Sequence, residues 1–352
     1  MASQMENRHP DRPLIPKRSA AIIAAAALLV AACGRRQSAG GGSGPLHVRI
    51  AIGGQNQLLY LPTTLARELG FYAAEGVDAE LQDFAGGSKA LEALLGGSAD
   101  VVSGFYDHTI QMAADGRRLV AFVAMLRYPG LVLTTSPSRA GDITRIEQLE
   151  GRIVGVTAAG SSSQMILTYL LSAHGVDPAS VSVAAIGSAA TAIAAVEHGK
   201  VDAAMMAEPA YTLMRTRNPN ARPLVDLRGA EGVRDAFGTD SYLASVLYAN
   251  GTWIEANHAA ASGIARAIVR TLDWMQAHTP QEIAAKMPPA FRGEDDALYV
   301  EALGHAMPMF SRDGRFSAAG AEAVRRLLAE SMPKVKHATI DVSNTYTNEF
   351  VR

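Results

Sequence analysis

The chain has 352 residues, 48% of them apolar and 19% charged, with a formal net charge of −2. This is enough chain for two domains with separate cores, and too apolar a composition for a disordered protein. The balanced charge leaves no nucleic-acid footprint, and a single cysteine excludes an internal disulfide or a thiolate metal cluster.

Lys17 and Arg18 precede an apolar stretch, Ser19–Ala32, that ends at Cys33. It is too short to span a bilayer and suits the apolar region of a secretory signal. Val30-Ala31-Ala32-Cys33 resembles a bacterial lipobox, which implies a signal peptide over 1–33 and lipidation of Cys33. Several acyl chains anchor stably, since each buried CH₂ contributes about 0.8 kcal/mol. Residues 34–46 are rich in Gly and Ser and read as a tether with a reach of about 20 Å. The expected location is therefore extracytoplasmic, held to a membrane.

The folded body begins near His47. Strands are expected at 48–53, 78–84, 100–104, 118–125, 152–157, 181–186, 201–206 and 222–226. Their Val, Ile and Ala runs alternate little, as in strands covered on both faces. Helices are expected between them at 59–70, 88–96, 107–114, 161–173, 189–198 and 209–216. Gly70, Gly175 and Gly199 stand where helix C-caps belong. The segments 126–137 and 241–250 read as extended crossovers. From Thr252 the sequence turns helical, with Thr279 and Pro280 as cap and first-turn residue and further helices at 294–306 and 317–331.

The same text occurs twice. FAGGSKALEALLGGSADVVSGFYD (84–107) aligns without a gap to IGSAATAIAAVEHGKVDAAMMAEP (186–209). Upstream, 48–54 corresponds to 151–157 and 75–84 to 174–183, with an indel. The expected fold is α/β with two similar lobes around a central cleft and a helical C-terminal part. Lobe I would hold 47–130 plus 241–352, and lobe II 131–240. Ligands of open α/β sheets sit beyond the carboxyl ends of the strands, beside helix N-termini. Two lobes set two such edges across one cleft.

Candidate ligand contacts follow from that placement. Ser161, Ser162 and Ser163 open a helix, where hydroxyls and free N–H groups can hold a polar ligand; ordinary N-capping needs only one of them. Thr157 closes the strand before them. Gly87 and Ser88 occupy the equivalent turn of the first lobe. Gly54, Gln55 and Asn56 follow the first strand, and Tyr60 begins the next helix. Tyr106 ends the first repeat, where an aromatic could cover a ligand. Asp107 reads as a helix cap and His108 as a plain helix residue. Glu208 ends the second repeat at the cleft rim, and Arg127 precedes the first crossover, where it could neutralise an anion. Asp100 and Asp202, at strand starts, read as turn residues far from the ligand edge. No G-x-S-x-G, H-E-x-x-H or P-loop motif occurs.

YLPTTLARELGFYAAEGVDAEL (60–81), GGSKALEALLGGSADV (86–101), LEGRIVGVTAAGSSS (149–163) and HGKVDAAMMAEPAY (198–211) together resemble substrate-binding proteins of nitrate/taurine/aliphatic-sulfonate-type ABC importers. Their superfamily also holds thiamine-pyrimidine-precursor proteins. The resemblance covers nearly all of 47–350. It implies a type II periplasmic-binding-protein fold and a monomer without cofactor, metal or enzymatic activity. It also implies a small-molecule ligand (sulfonate, carboxylate, nitrate-like anion or pyrimidine), with a membrane permease and its ATPase as partners. Related pyrimidine-precursor synthases use a cysteine cluster, which this chain lacks beyond Cys33. A tethered sensor that presents ligand to a receptor would carry the same kind of site.

Overall fold

The computed structural model describes residues 44–351; the expected signal peptide, Cys33 as the expected lipidation site and most of the expected tether lie outside the described residues. Among the described residues, ten strands form two five-stranded sheets. The first contains β1 (Leu46–Ile52), β2 (Val77–Asp83), β3 (Val101–Phe105), β4 (Leu119–Ala124) and β10 (Ser245–Asn250), in the order β2-β1-β3-β10-β4. The second contains β5 (Leu131–Thr135), β6 (Ile153–Val156), β7 (Ser182–Ala185), β8 (Ala203–Ala207) and β9 (Pro223–Asp226), in the order β7-β6-β8-β5-β9. The two orders are the same. In each sheet three parallel strands are followed by one antiparallel strand: β10 in the first and β5 in the second. The stretch 126–137, expected only as an extended crossover, supplies β5 through its alternation-free Leu131-Val132-Leu133, buried on both faces. The architecture is a two-lobed α/β fold.

Within the repeat the offset of 102 persists in three dimensions. Helix Gly87–Leu95 matches helix Ala189–Glu197, and β3 matches β8. Upstream the structural register departs from the sequence alignment. Ile50 pairs with Val101 and Val154 with Ala203, so Ile50 corresponds to Val154, not to Ile153. Burial decides this: Ile50 and Val154 are fully buried, whereas Ile153 is 41% exposed. A slip of one residue exchanges the two faces of a strand. Gly76 and Gly175 correspond as left-handed turn residues. Strand β2 starts at once after Gly76, while the turn Pro178–Ser180 is inserted before β7.

Asp100 and Asp202 perform the same task in each lobe. Asp100 Oδ2 accepts from Arg49 N at 2.9 Å, and Asp202 Oδ2 accepts from Ile153 N at 2.9 Å. Each carboxylate thus pins the lobe's first strand to its third at the end away from the cleft. Each also holds an arginine: Arg49 Nη2 lies 2.7 Å from Asp100 Oδ1, and Arg139 Nε lies 2.6 Å from Asp202 Oδ1.

The chain passes between the sheets twice, at 125–130 and at 227–244. The two passages run side by side: Gly130 N donates to Leu227 O at 2.9 Å and Ala244 N to Leu126 O at 3.4 Å. The C-terminal helices complete the body. His258–Gln276 covers the first lobe, resting on Leu61–Glu68 and Phe71–Ala74. The Thr279 cap forms as a capping box with Glu282, with Pro280 in the first turn. Helix Ala318–Ser331 touches Asp107–Ala114 of the first lobe and Ser162–Ala173 of the second.

Removing the strand-pinning carboxylate should cost stability and leave any ligand site intact. Asp202→Ala is expected to destabilise by about 1–3 kcal/mol, the worth of hydrogen bonds to a charged group, read from urea unfolding. Burial pushes the Asp100 carboxyl up, but its bonds with Arg49 and the guanidinium charge hold it below its ordinary 3.8. Its contribution is therefore present above pH 3.8 and is lost as pH falls through the lowered folded value. An Asp100→Asn variant is expected to be less stable than the parent above pH 3.8, with the difference shrinking as pH falls through the lowered folded value; a difference independent of pH would contradict this.

Candidate functional site

The cleft face of the first lobe is assembled from the turns after β1, β2 and β3. After β1, Gly53 and Gly54 keep the chain free of side chains. A Cβ at Gly53 would stand 2.7 Å from Gly87 Cα, so the turns after β1 and β2 meet backbone to backbone. Gln57 Nε2 donates to Gly53 O at 2.9 Å and fixes this turn. Tyr60 and Phe105 form an edge-on aromatic pair, with centroids 6.5 Å apart and planes at 77°. After β3, Asp107 opens its helix fully buried, and His108 beside it is also fully buried.

The second lobe contributes the turn 157–163. Ser163 Oγ receives Thr157 N at 3.1 Å and pairs with Thr157 Oγ1 at 2.9 Å, which locks the turn against the following helix. Ser161 is the N-cap residue of helix Ser162–Ala173 without making a side-chain cap bond. Three serines therefore exceed what capping uses here.

The lobes meet in direct contact. Ser88 Oγ donates to Ala159 O at 2.8 Å, and Ser162 Oγ donates to Asp107 Oδ1 at 2.8 Å. At the rim Ser188 Oγ donates to Asn56 Oδ1 at 3.0 Å, and Leu58 N donates to Glu208 O at 2.8 Å. Between the faces lies a cavity of about 20 Å³, room for about one water molecule. Any larger ligand requires the lobes to part. Larger hollows of about 580 and 500 Å³ are open to solvent and are lined largely by lobe II and C-terminal residues. The small cavity lies where the turns after β1, β2 and β3 meet the turn after β6.

Of the residues singled out in the sequence, Tyr60, Gly87, Thr157, Ser161, Ser162 and Ser163 line this cavity. Ser88 stands at its edge, and Gly54 and Asn56 face Ser188 at the rim. Four others are placed elsewhere. Gln55 turns into the first lobe, its N on Asp83 and its Nε2 on Thr64 Oγ1. Tyr106 is fully buried and bonds Thr345 Oγ1 at 2.5 Å, packed beside Phe316 and Tyr346. Phe105, the last residue of β3, takes the cleft side, whereas Tyr106 stands past the strand in helical backbone at φ −65° and ψ −29°. Arg127 donates to Pro308 O at 3.1 Å and lies over its neighbour Tyr128. Glu208 is buried with both oxygens occupied: Oε1 receives Arg228 Nη1 and Thr212 Oγ1, and Oε2 receives Thr212 N. Burial pushes its carboxyl up against the opposing pull of Arg228. The side chain is fully buried and engaged within the second lobe.

Sequence reasoning missed Gln57, Leu59 and Leu131, which line the cavity, and it gave Asp107 the wrong role. Asp107 Oδ2 and His108 Nε2 are buried and have no hydrogen-bond partner within the protein. Burial pushes the Asp107 carboxyl up, opposed by His108 and Ser162, and it pushes the His108 imidazole down. Burial and the Asp107 charge both push the Tyr60 phenol up. In the sequence Asp107 is indistinguishable from a first-turn aspartate.

The NMT1/THI5-like family profile matches residues 59–283. The chain belongs to the NMT1/THI5-like family. The matched stretch includes both repeats and the cleft turns at 86–88 and 157–163. A solved structure of a Bordetella bronchiseptica RB50 protein is 36% identical, with a TM-score of 0.83, over 86% of this chain and 95% of that one. The putative binding protein YtlA of Bacillus subtilis (strain 168) is 21% identical over 68% of this chain and 70% of its own. The periplasmic aliphatic sulphonate binding protein SsuA of Escherichia coli is 21% identical, with a TM-score of 0.63, over 87% and 99% of the two chains. That degree of identity establishes a shared fold.

The contact between the lobe faces makes Gly86 a sensitive position. Its backbone is extended at φ 167°, which any residue adopts, but a Cβ there would stand 2.9 Å from Ala158 Cβ and 3.3 Å from Ser161 Oγ. Gly86→Val is expected to hold the lobes apart at a cost of about 1–3 kcal/mol to the closed form. Small-angle scattering should show a larger radius of gyration than the parent, with retained secondary structure; an unchanged radius would contradict the contact.

Proposed function

We propose that the chain is the substrate-binding protein of an ABC importer, an extracytoplasmic lipoprotein that captures a small molecule between its lobes and hands it to a permease. The observation that carries this reading is the cleft itself. Two sheets of identical strand order present their loop ends to each other, and hydrogen bonds that cross the boundary hold the faces together. The two parallel passages at 125–130 and 227–244 form a hinge between otherwise separate sheets. A ligand bound by both faces favours the closed form by its differential affinity, and closure is what a permease can sense. Membership of the NMT1/THI5-like family and the fold shared with SsuA support a transport role. The lipobox-like tetrapeptide ending at Cys33 supports the anchor.

Two experiments test it. Converting Ser161, Ser162 and Ser163 together to Ala removes three cleft hydroxyls and keeps the helix-end amides. Ligand affinity is expected to fall by about 1–3 kcal/mol, read by calorimetry on a ligand found in a thermal-shift screen; unchanged affinity would remove the serines from the site. For the anchor, Cys33→Ser is expected to leave an unprocessed or soluble product, and unchanged mass and membrane fractionation would sink that part.

A further inference from the structure

The polar groups beneath the cleft specify the charge of what it takes, given that the cleft is the ligand site. Asp107 belongs to the first lobe, and its side-chain partner, Ser162, belongs to the second. When the lobes part, Ser162 leaves with its lobe. The carboxylate then faces the opened cleft with Oδ1 released and Oδ2 already unpartnered. His108 is held from behind, Nδ1 to Tyr248 OH at 3.0 Å, which leaves Nε2 free. Its ring lies directly under Gly87: a Cβ there would stand 3.1 Å from His108 Cε1 and 3.8 Å from Nε2. Gly87 lines the cavity and has no side chain to cover the imidazole.

Charge and shape complete the argument. No lysine or arginine is among the residues lining the cavity, and its walls include the aromatic rings of Tyr60 and Phe105. Once opening frees it from Ser162 and admits solvent, the Asp107 carboxylate disfavours a second negative charge beside it and is matched by an N–H donor. Aromatic faces beside it attract a cation. We propose that Asp107 and His108 are the recognition pair of the cleft, and that the ligand is a small organic cation carrying N–H donors, an ammonium or amidinium group. The cation places its N–H groups on the Asp107 carboxylate in place of Ser162, with its body against Tyr60 and Phe105. With Nδ1 paired to the Tyr248 hydroxyl, His108 Nε2 stands free to pair with a further polar group of the ligand. Sulfonates and nitrate are rejected by the carboxylate.

The test is calorimetry and thermal shift on the full chain with two arms of matched size. Benzamidine and acetamidine form one arm; benzenesulfonate and methanesulfonate form the other. The cation arm is expected to bind. Asp107→Asn keeps an acceptor for Ser162 and removes the charge, and it is expected to weaken the cations by about tenfold to a hundredfold. His108→Gln, the second variant, is expected to weaken them by about tenfold; thermal unfolding of both variants verifies that they fold. Binding by the anion arm overturns the inference while leaving the cleft as a small-molecule site. Cation binding that survives Asp107→Asn in a folded protein removes the recognition pair. If neither arm binds, the charge assignment fails, and the cleft reading is decided separately by the triple serine variant.

Discussion

The lobes of this protein approach to backbone distance because the turn facing Ala158 and Ser161 carries no side chains. Gly86 and Gly87 have no Cβ, and a Cβ at Gly86 would collide with Ala158. The rest follows from that contact. Ser88 can reach Ala159 O, Ser162 can reach Asp107, and the cavity shrinks to about 20 Å³. Packing this close leaves little freedom for a gradual change. The faces are either in contact or apart, as interfaces packed to interior density behave.

Duplication supplies the symmetry that makes a cleft, and the departures from it supply its chemistry. Asp100 and Asp202 are equivalent and serve the scaffold alone, each pinning a first strand far from the ligand edge. At the cleft end the copies diverge. The position of Asp107 in the first repeat is taken by Pro209 in the second, and that of Tyr106 by Glu208. One lobe thus presents a carboxylate with an unpartnered oxygen. The other consumes its carboxylate internally on Arg228 and Thr212. Hydroxyls of the second lobe then face the acid of the first.

Most of the scaffold was legible in the sequence, because apolar runs bounded by Gly-rich turns mark buried strands well. The repeat placed helix Gly87–Leu95 and helix Ala189–Glu197 at the observed offset. Two local errors had physical causes. The Ile50–Val154 correspondence depends on which face of β6 is buried, and Ile153 is as apolar as its neighbours. Strand β5 was masked by its position beside Pro129-Gly130, which reads as a break. The cavity-lining serines and Tyr60 were legible from helix-start chemistry. Tyr106 was misplaced because the backbone turns helical straight after Phe105, and Gln55 because one step along a turn reverses the face. Asp107 was misread because an N-terminal aspartate caps a helix in most contexts, and only its partner across the lobes, 55 positions away, shows otherwise.

The central claim is that the two sheets move as bodies about the paired passages and close on a ligand. It is tested most directly by pulsed electron–electron distance measurement between spin labels at Glu92 and Ser182, exposed positions of opposite lobes. The Cys33→Ser background removes the single native cysteine. The account predicts a broad distribution with a long component without ligand, collapsing to one short distance when ligand is added. A single distribution, unchanged by any ligand that binds, would contradict it.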